Sequence, residues 1–417
     1  MATVKPFQPL RYAPKAGDPA HLLTQPYDKI SPEMQASYLS ASPHNVVRII
    51  QGERHPADDE TNNVYTRSAE YFQTWIKGGI LAQDAKPGFY AYTQDFQIPD
   101  TQQQAQRIGF IGLGKVEDYE AGIVFRHEQT LSGPKKDRME ILRHNRAHFG
   151  HIFMLYPDEQ GLIDRMLIAA TASEPLTDVI DEYGARHRLW AIHDPSAMVA
   201  MEGLMADKQL LIADGHHRYE TALAYHHRHP DDVAAQYVMM TFINMYSEGL
   251  QILATHRVLR SLPDFNEADL VKRAHDQWKV TDFFSVEELK AAFQRPDADK
   301  VRIGMVTHGA TALLERPRRT NSEGIPELDV PVLHSEVLTN LLEITEDAVR
   351  EESFITYVRG MDKAIAEVRE KGAQVAFLLE PTPIDDMAKI AFSGGVMPQK
   401  STDFYPKLLT GLTIYKL

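Results

Sequence analysis

The sequence predicts a mixed α/β protein built from more than one domain, and three observations carry that expectation. At 417 residues the chain is longer than one hydrophobic core usually organises. Helical and strand periodicities are interleaved in the first 120 residues, where the strands read as antiparallel. Beyond Arg260 the pattern changes to regular alternation of strand and helix. Boundaries near Glu120 and Ser261 divide the chain into an N-terminal α+β region (1–119), a central domain (120–260) and a C-terminal α/β region (261–417).

Each element has its own local signal. SPEMQASYLSA opens as a helix, with Ser31 as N-cap, Pro32 in the first turn and Glu33 near the positive end. The apolar run NVVRIIQG at residues 45–52 reads as a buried strand. Residues 60–77 place Val64, Ala69, Phe72 and Ile76 at roughly helical spacing and stop at Gly78-Gly79. Residues 89–98 and 107–119 are strands joined by a polar hairpin loop, and further strands are expected at 152–156, 188–192 and 209–213. SVEELKAAF carries a capping box, Ser285 with Glu288, and KVRIGMVTH followed by ATALLERP forms a hairpin. FITYVRG, DKAIAEVREKG and AQVAFLLE then make a β-α-β unit at a spacing that favours a parallel pair.

Composition narrows the function. Hydrophobic residues make up 43% and charged residues 24%, ordinary values for a chain that folds throughout. No run of about 18 apolar residues and no secretory plan at the N-terminus is present, so a cytoplasmic protein outside the membrane is expected. Cysteine is absent, which excludes disulfides, thiolate nucleophiles and Cys-ligated zinc. Lys and Arg total 44 against 58 Asp and Glu, a net charge of -14 that disfavours nucleic acid as a partner. A local cluster of basic residues in such a chain points instead to a small anion.

That cluster is KQLLIADGHHRYETALAYHH, where an apolar strand ends at Ala213, Asp214-Gly215 turns, and a helix begins at once. A helix N-terminus offers free amides and a positive dipole end, and a glycine lets a ligand approach the backbone. His216, His217 and Arg218 add side-chain donors there. Asp214 as a simple cap is the plainer reading. However, cations at a helix N-terminus oppose the dipole, so three of them call for a compensating anion.

A second segment is FRHEQTLSGPKKDRMEILRHNRAHFGH. Here Glu128 beside His127 is a candidate general base, and Lys135 and Arg138, one helical turn apart, could clamp phosphate oxygens or simply be a solvated helix start. His144, His148 and His151 suggest zinc, but HNRAH lacks the glutamate of a catalytic zinc helix. His226, His227 and His229 read as a helix C-terminus. The third segment is the tail VMPQKSTDFYPKLLTGLTIYKL, where Lys400, Ser401 and Thr402 either reach an active site or form the polar turn of a closing strand.

With these segments in view, the chain resembles the DUF1015 family nearly end to end. The likeness is carried by QPYDKIS from Gln25, HEQTLSGPKKDR from His127, HRLWAIHD from His187, IADGHHRYETA from Ile212, ILATHRVLR from Ile252 and MPQKSTDFYPKLLTGL from Met397. Asp403 departs from the aromatic or uncharged residue expected there. Across the middle third, the HE and DGHHR elements are similar to those of the ParB/sulfiredoxin-like fold, and most closely to ADP-dependent free-serine kinases. The resemblance implies Glu128 as base, Asp214 as the residue orienting serine or a metal-bound phosphate, and Gly215, His216, His217 and Arg218 on the nucleotide phosphates. In those kinases a second carboxylate often follows the first, where this chain has Gln129.

The implied function is a phosphoryl transferase between a nucleotide, ADP or a relative, and free L-serine or O-phospho-L-serine, with Mg²⁺ accompanying the nucleotide. His217 joins Glu128 and Asp214 among the expected catalytic residues. Lys135, Arg138, Lys400, Ser401 and Thr402 join the phosphate-binding set. Two other classes fit the same residues: a nucleotide-gated binding module of the ParB type, and a phosphoserine phosphatase. An oligomer is compatible with each.

Overall fold

Strand Phe89–Gln97 turns through a polar loop into Gln104–Lys115, and this hairpin anchors the first of two units in the computed structural model. The structure describes residues 1–128, 132–322, 324–350, 353–398 and 400–417, so Gln129 lies outside it. The first unit comprises residues 1–126, 130–251 and 406–417, and the second comprises 127–129 and 252–405.

In the first unit, a nine-stranded mixed sheet runs in the order Val124–Phe125, Leu210–Asp214, Ile152–Tyr156, Tyr237–Asn244, Gln104–Lys115, Phe89–Gln97, Arg186–Ile192 and Thr177–Ile180, with Val4–Lys5 added on Gln104–Lys115. Strands from both sides of residue 120 therefore share one sheet and one core. Phe89, Phe110, Ile152, Met154, Ile212, Met240 and Phe242 interlock in that core, and the Phe110 and Phe242 rings stack 4.8 Å apart. A satellite core of Val46, Val47, Ile49, Phe72, Trp75, Ile141 and Phe149 gathers the N-terminal helices.

The expected helix Pro32–Ala41 forms, and the Ser31 side chain accepts the Met34 amide. The helix sought at 60–77 begins at Val64, because Asn63 caps it through a reciprocal pair with Thr66. The run at 45–52 corrects the sequence reading: it is a short helix, Val47–Ile50, not a strand. Its polar residues Asn45, Arg48 and Gln51 recur every third position, with the apolar pairs Val46-Val47 and Ile49-Ile50 buried between them, which is helical spacing and not strand alternation, and the Asn45 side chain accepts the Val47 amide to start the turn.

The second unit holds a six-stranded sheet in the order Lys279–Asp282, Thr311–Pro317, Lys300–Thr307, Val375–Leu378, Thr255–Leu259 and Ile355–Arg359. The hairpin of Lys300–Thr307 with Thr311–Pro317 is as expected. At Val286–Phe293, Ser285 accepts the Glu288 amide, but the Glu288 carboxylate takes the amide of Phe284 rather than that of the cap. The β-α-β unit is also corrected. Ile355–Arg359 and Val375–Leu378 run parallel but are not neighbours, because Thr255–Leu259 pairs antiparallel with both. A strand contributed from 100 residues upstream leaves no local signal in the β-α-β segment itself.

The histidines that suggested zinc are used otherwise. His151 is fully buried between the Thr241 and Thr413 hydroxyls, at 3.0 Å from each. His144 bonds the Glu140 carbonyl, and His148 stacks on Tyr415. No cluster able to hold a metal ion occurs among the described residues. No helix among them is long and apolar enough to cross a membrane.

Burial, helped by the Arg218 charge, pushes His151 down to about 3. The unfolded chain therefore takes up a proton near pH 6.5 that the folded chain refuses, so stability falls as pH drops from about 6.5 toward 3, at up to about 1.4 kcal/mol per pH unit from this residue. Urea unfolding at several pH values should show a shallower acid decline in His151→Gln than in the parent, even though the variant is weaker at neutral pH. Parallel pH dependences would remove His151 from the acid limb.

Candidate functional site

The strand Leu210–Asp214 pairs antiparallel with Ile152–Tyr156, and its register slips by one residue between Ile212 and Asp214. Such a bulge re-aims the side chain that follows it. Gly215 then takes φ +96°, and the helix His216–Arg228 starts with no side-chain cap. A Cβ on Gly215 would lie 3.0 Å from the Arg218 guanidinium, so the glycine is needed for its backbone conformation and for the close approach. The uncapped start leaves the first amides of the helix without intrahelical acceptors.

Asp214 faces two cations. Its carboxylate accepts from Arg218 Nη2 at 2.7 Å and from Lys407 Nζ at 2.7 Å. Burial alone would raise its pKa, but Lys407, Arg218 and Lys29 outweigh that and hold the carboxyl well below the usual range. Arg218 also donates to the His151 carbonyl. His216 is buried at the helix start, and His217 is half-buried, its carbonyl accepting the Thr221 hydroxyl at 2.7 Å.

Against Arg218, in the first turn of this helix, lies a cavity of about 60 Å³, room for a few waters or a small anion. Its polar lining includes the Arg138 and Arg218 guanidiniums, Tyr27, His148, Thr221 and Thr410, against a wall of Ile50, Ile141, Leu142, Phe149 and Val238. Arg138 lies over the Tyr27 ring at 4.0 Å and donates to the Ile50 carbonyl and to Asp137. Lys135 turns elsewhere: it pairs with Glu220 on the helix His216–Arg228, as Arg126 does at 3.5 Å. Of the two residues expected to clamp phosphate, only Arg138 lines this cavity.

The second unit brings together the remaining sequence candidates. Glu128 bridges in parallel to Met397, whose amide donates to the His127 carbonyl at 2.7 Å. The Lys400 amide donates to the Glu128 carboxylate, Lys400 itself sits at φ +56°, and its carbonyl accepts from Arg257 at 3.0 Å. The Ser401 hydroxyl donates to the Pro398 carbonyl at 2.6 Å, and the Thr402 hydroxyl meets His127 Nε2 at 2.8 Å. Asp403, the departure noted above, is buried against Arg359.

Sequence reasoning overlooked Lys407, Gln94, Arg107, His187 and Tyr27. Tyr27, His187 and Lys407 stand inside family-carrying motifs, which was the available signal. Gln94 and Arg107 face each other directly across the hairpin, polar residues on apolar strands. His226 and His227 do close the helix, with His229 as its C-cap.

Fold and site define a mixed α/β protein with a strand-turn-helix junction that carries clustered cations. The chain belongs to the family described as protein of unknown function (DUF1015), whose model matches residues 4–331. No curated protein matches it significantly. Among solved structures it is similar to a conserved hypothetical protein from Pyrococcus furiosus, at 11% identity over 70% of this chain and 92% of that one, with a TM-score of 0.37. It is similar to a free serine kinase mutant in complex with ADP, at 14% identity over 68% and 84% of the two chains, TM-score 0.37. It is also similar to SbnI with a C-terminal truncation from Staphylococcus aureus, at 10% identity over 73% and 87%, TM-score 0.37.

Replacing Asp214 by Asn leaves Lys407 and Arg218 without their shared counter-charge, at 7% and 15% side-chain exposure. A loss of about 3 kcal/mol is expected, measured by chemical denaturation at pH 7. A variant as stable as the parent would mean that the two cations are solvated, not held.

Proposed function

We propose that the first unit binds a phosphoryl group at the Gly215 turn, and that the protein is a phosphoryl transferase acting between a nucleotide and free L-serine or O-phospho-L-serine. The observation that carries the phosphate reading is the cavity lined by Arg138 and Arg218, the latter in the first turn of a helix whose N-cap is Gly215. Guanidiniums bind phosphate oxygens bidentately, and the amides of a helix N-terminus are neutral donors at its positive dipole end. The extension to serine and a nucleotide rests on the resemblance of the HE and DGHHR segments to free-serine kinases.

Within this reading the residues divide the work. Arg218 and Arg138 spread the charge of the transferring group, and the Gly215 turn lets it approach the backbone. Asp214 fixes Arg218. Its strongly lowered pKa makes it a poor proton acceptor near neutrality, so its part is orientation. Glu128 is proposed as the base on the resemblance alone. Both Asp214 oxygens are engaged by cations, so Asp214 is not placed to ligate a metal. Mg²⁺ would be held chiefly by the nucleotide phosphates, where it supplies charge neutralisation.

Purified protein incubated with O-phospho-L-serine and Mg²⁺, with and without ADP or AMP, tests the reading. Phosphate newly attached to the nucleotide is expected. Free phosphate released without nucleotide would make the protein a phosphatase, and nucleotide binding with neither product would make it a binding module. In the same assay Glu128→Gln should lower turnover far more than nucleotide affinity, whereas Arg138→Gln should raise KM by about tenfold or more. Unchanged turnover in Glu128→Gln would remove it from the chemistry.

A further inference from the structure

Tyr27 reaches the cavity of the first unit from a segment remote from it in sequence. Backbone pairing fixes its approach: the Thr24 amide donates to the Thr410 carbonyl at 3.3 Å, and the Thr410 amide donates to the Thr24 carbonyl at 2.8 Å. Pro26, extended at φ -60° and ψ 148°, then starts the short 3-10 turn Tyr27–Lys29, which the Lys29 amide closes on the Pro26 carbonyl at 2.8 Å. Pro26, Tyr27 and Thr410 line the cavity as a result. Arg138 comes to the same place from the helix Ser132–Asn145, and its guanidinium carbon lies 4.0 Å from the centre of the Tyr27 ring.

The ring and the hydroxyl of Tyr27 offer different things. An aromatic face attracts a guanidinium placed over it, so the ring holds Arg138 from one side. Asp137 and the Ile50 carbonyl hold it by its Nε and Nη2 edge. Held by face and edge, the cation meets an entering anion already ordered. The hydroxyl belongs to the same cluster, because Arg138, Arg218 and Asp214 all act on its charge. Burial, with Asp28 adding to it, outweighs the two guanidiniums and pushes Tyr27 up to about 12. The hydroxyl therefore keeps its proton near neutrality and is available there as a donor.

We propose that Tyr27 has two roles in the phosphate site: its hydroxyl donates to a phosphoryl oxygen, and its ring is the seat that positions the Arg138 guanidinium for another. Both roles rest on the phosphate reading of this cavity. They give the QPYDKIS segment a task beside those of the DGHHR and HE segments. Tyr27, Arg138 and Arg218 then meet the ligand from three separate parts of the chain, against the apolar wall of Ile50, Ile141 and Val238. Charged and neutral donors facing one small space suit an acceptor-rich group such as a phosphoryl dianion.

The test is a set of calorimetric titrations of the full-length protein with inorganic phosphate and O-phospho-L-serine. The variants are Tyr27→Phe and Tyr27→Leu, each alone and combined with Arg138→Gln. Tyr27→Phe keeps the ring and removes the hydroxyl, and it should weaken binding about three- to tenfold. Tyr27→Leu removes both and should weaken binding about three- to tenfold further. Combined with Arg138→Gln, that further step from Phe to Leu should vanish, because the ring then has no cation to seat. A step of equal size in both backgrounds, which a merely structural role would give, overturns the seating of Arg138. Tyr27→Phe binding as tightly as the parent overturns the hydroxyl contact, and that variant decides the point even where Leu does not fold. A parent protein that binds neither ligand defeats the phosphate reading itself. A parent that binds beside a Tyr27→Leu variant that binds equally well defeats only the roles of Tyr27.

Discussion

The first unit's chemistry depends on one carboxylate holding two cations. Asp214 ends a sheet strand, follows a register slip, and precedes a glycine in the left-handed region, so three backbone features converge on where its oxygens lie. Because burial opposes its ionisation, Asp214 stays charged only through Arg218, Lys407 and Lys29. The dependence is mutual: without its counter-ion a buried guanidinium would be expelled toward water, and a buried ammonium would be expelled or lose its proton.

This arrangement explains how a chain with a net charge of -14 can present a cationic pocket. Exposed charges beyond about 10 Å are screened by salt, whereas near neighbours in a poorly hydrated setting are not. Arg107 illustrates the strength of that setting, since burial draws its guanidinium down to about 9. The acidic surface governs encounters with polymers, and on the proposed reading the buried cluster is what a small anion meets.

How much of this was legible in the sequence differs from one element to the next. The DGHHR segment was legible because strand, turn and helix are contiguous there, and each has a local signature: the apolar run, Asp-Gly, then helical spacing. The same holds for Ser31, which capped its helix as read. Asn45 to Gly52 was misread on its β-branched content, although Asn45, Arg48 and Gln51 recur at the three-residue spacing of the short helix that forms. The split β-α-β unit failed for a different reason, because Thr255–Leu259 inserts from far upstream. Lys407 belongs with these long-range cases. It lies 193 residues from Asp214, and no spacing rule connects a lysine in the tail to a turn in the middle of the chain.

The state of Asp214 also constrains where proton transfer can occur. A group that remains ionised across the whole physiological range is an effective electrostatic anchor and a weak base, because a base must accept a proton during the reaction. Phosphoryl transfer tolerates this division well, since its loose transition state asks mainly for charge dispersal and alignment, with the hydroxyl proton departing late. The Asp214 cluster therefore supplies what its geometry and charge allow, alignment and a positive field. In the proposed transferase the proton therefore falls to a different carboxylate, the part given to Glu128.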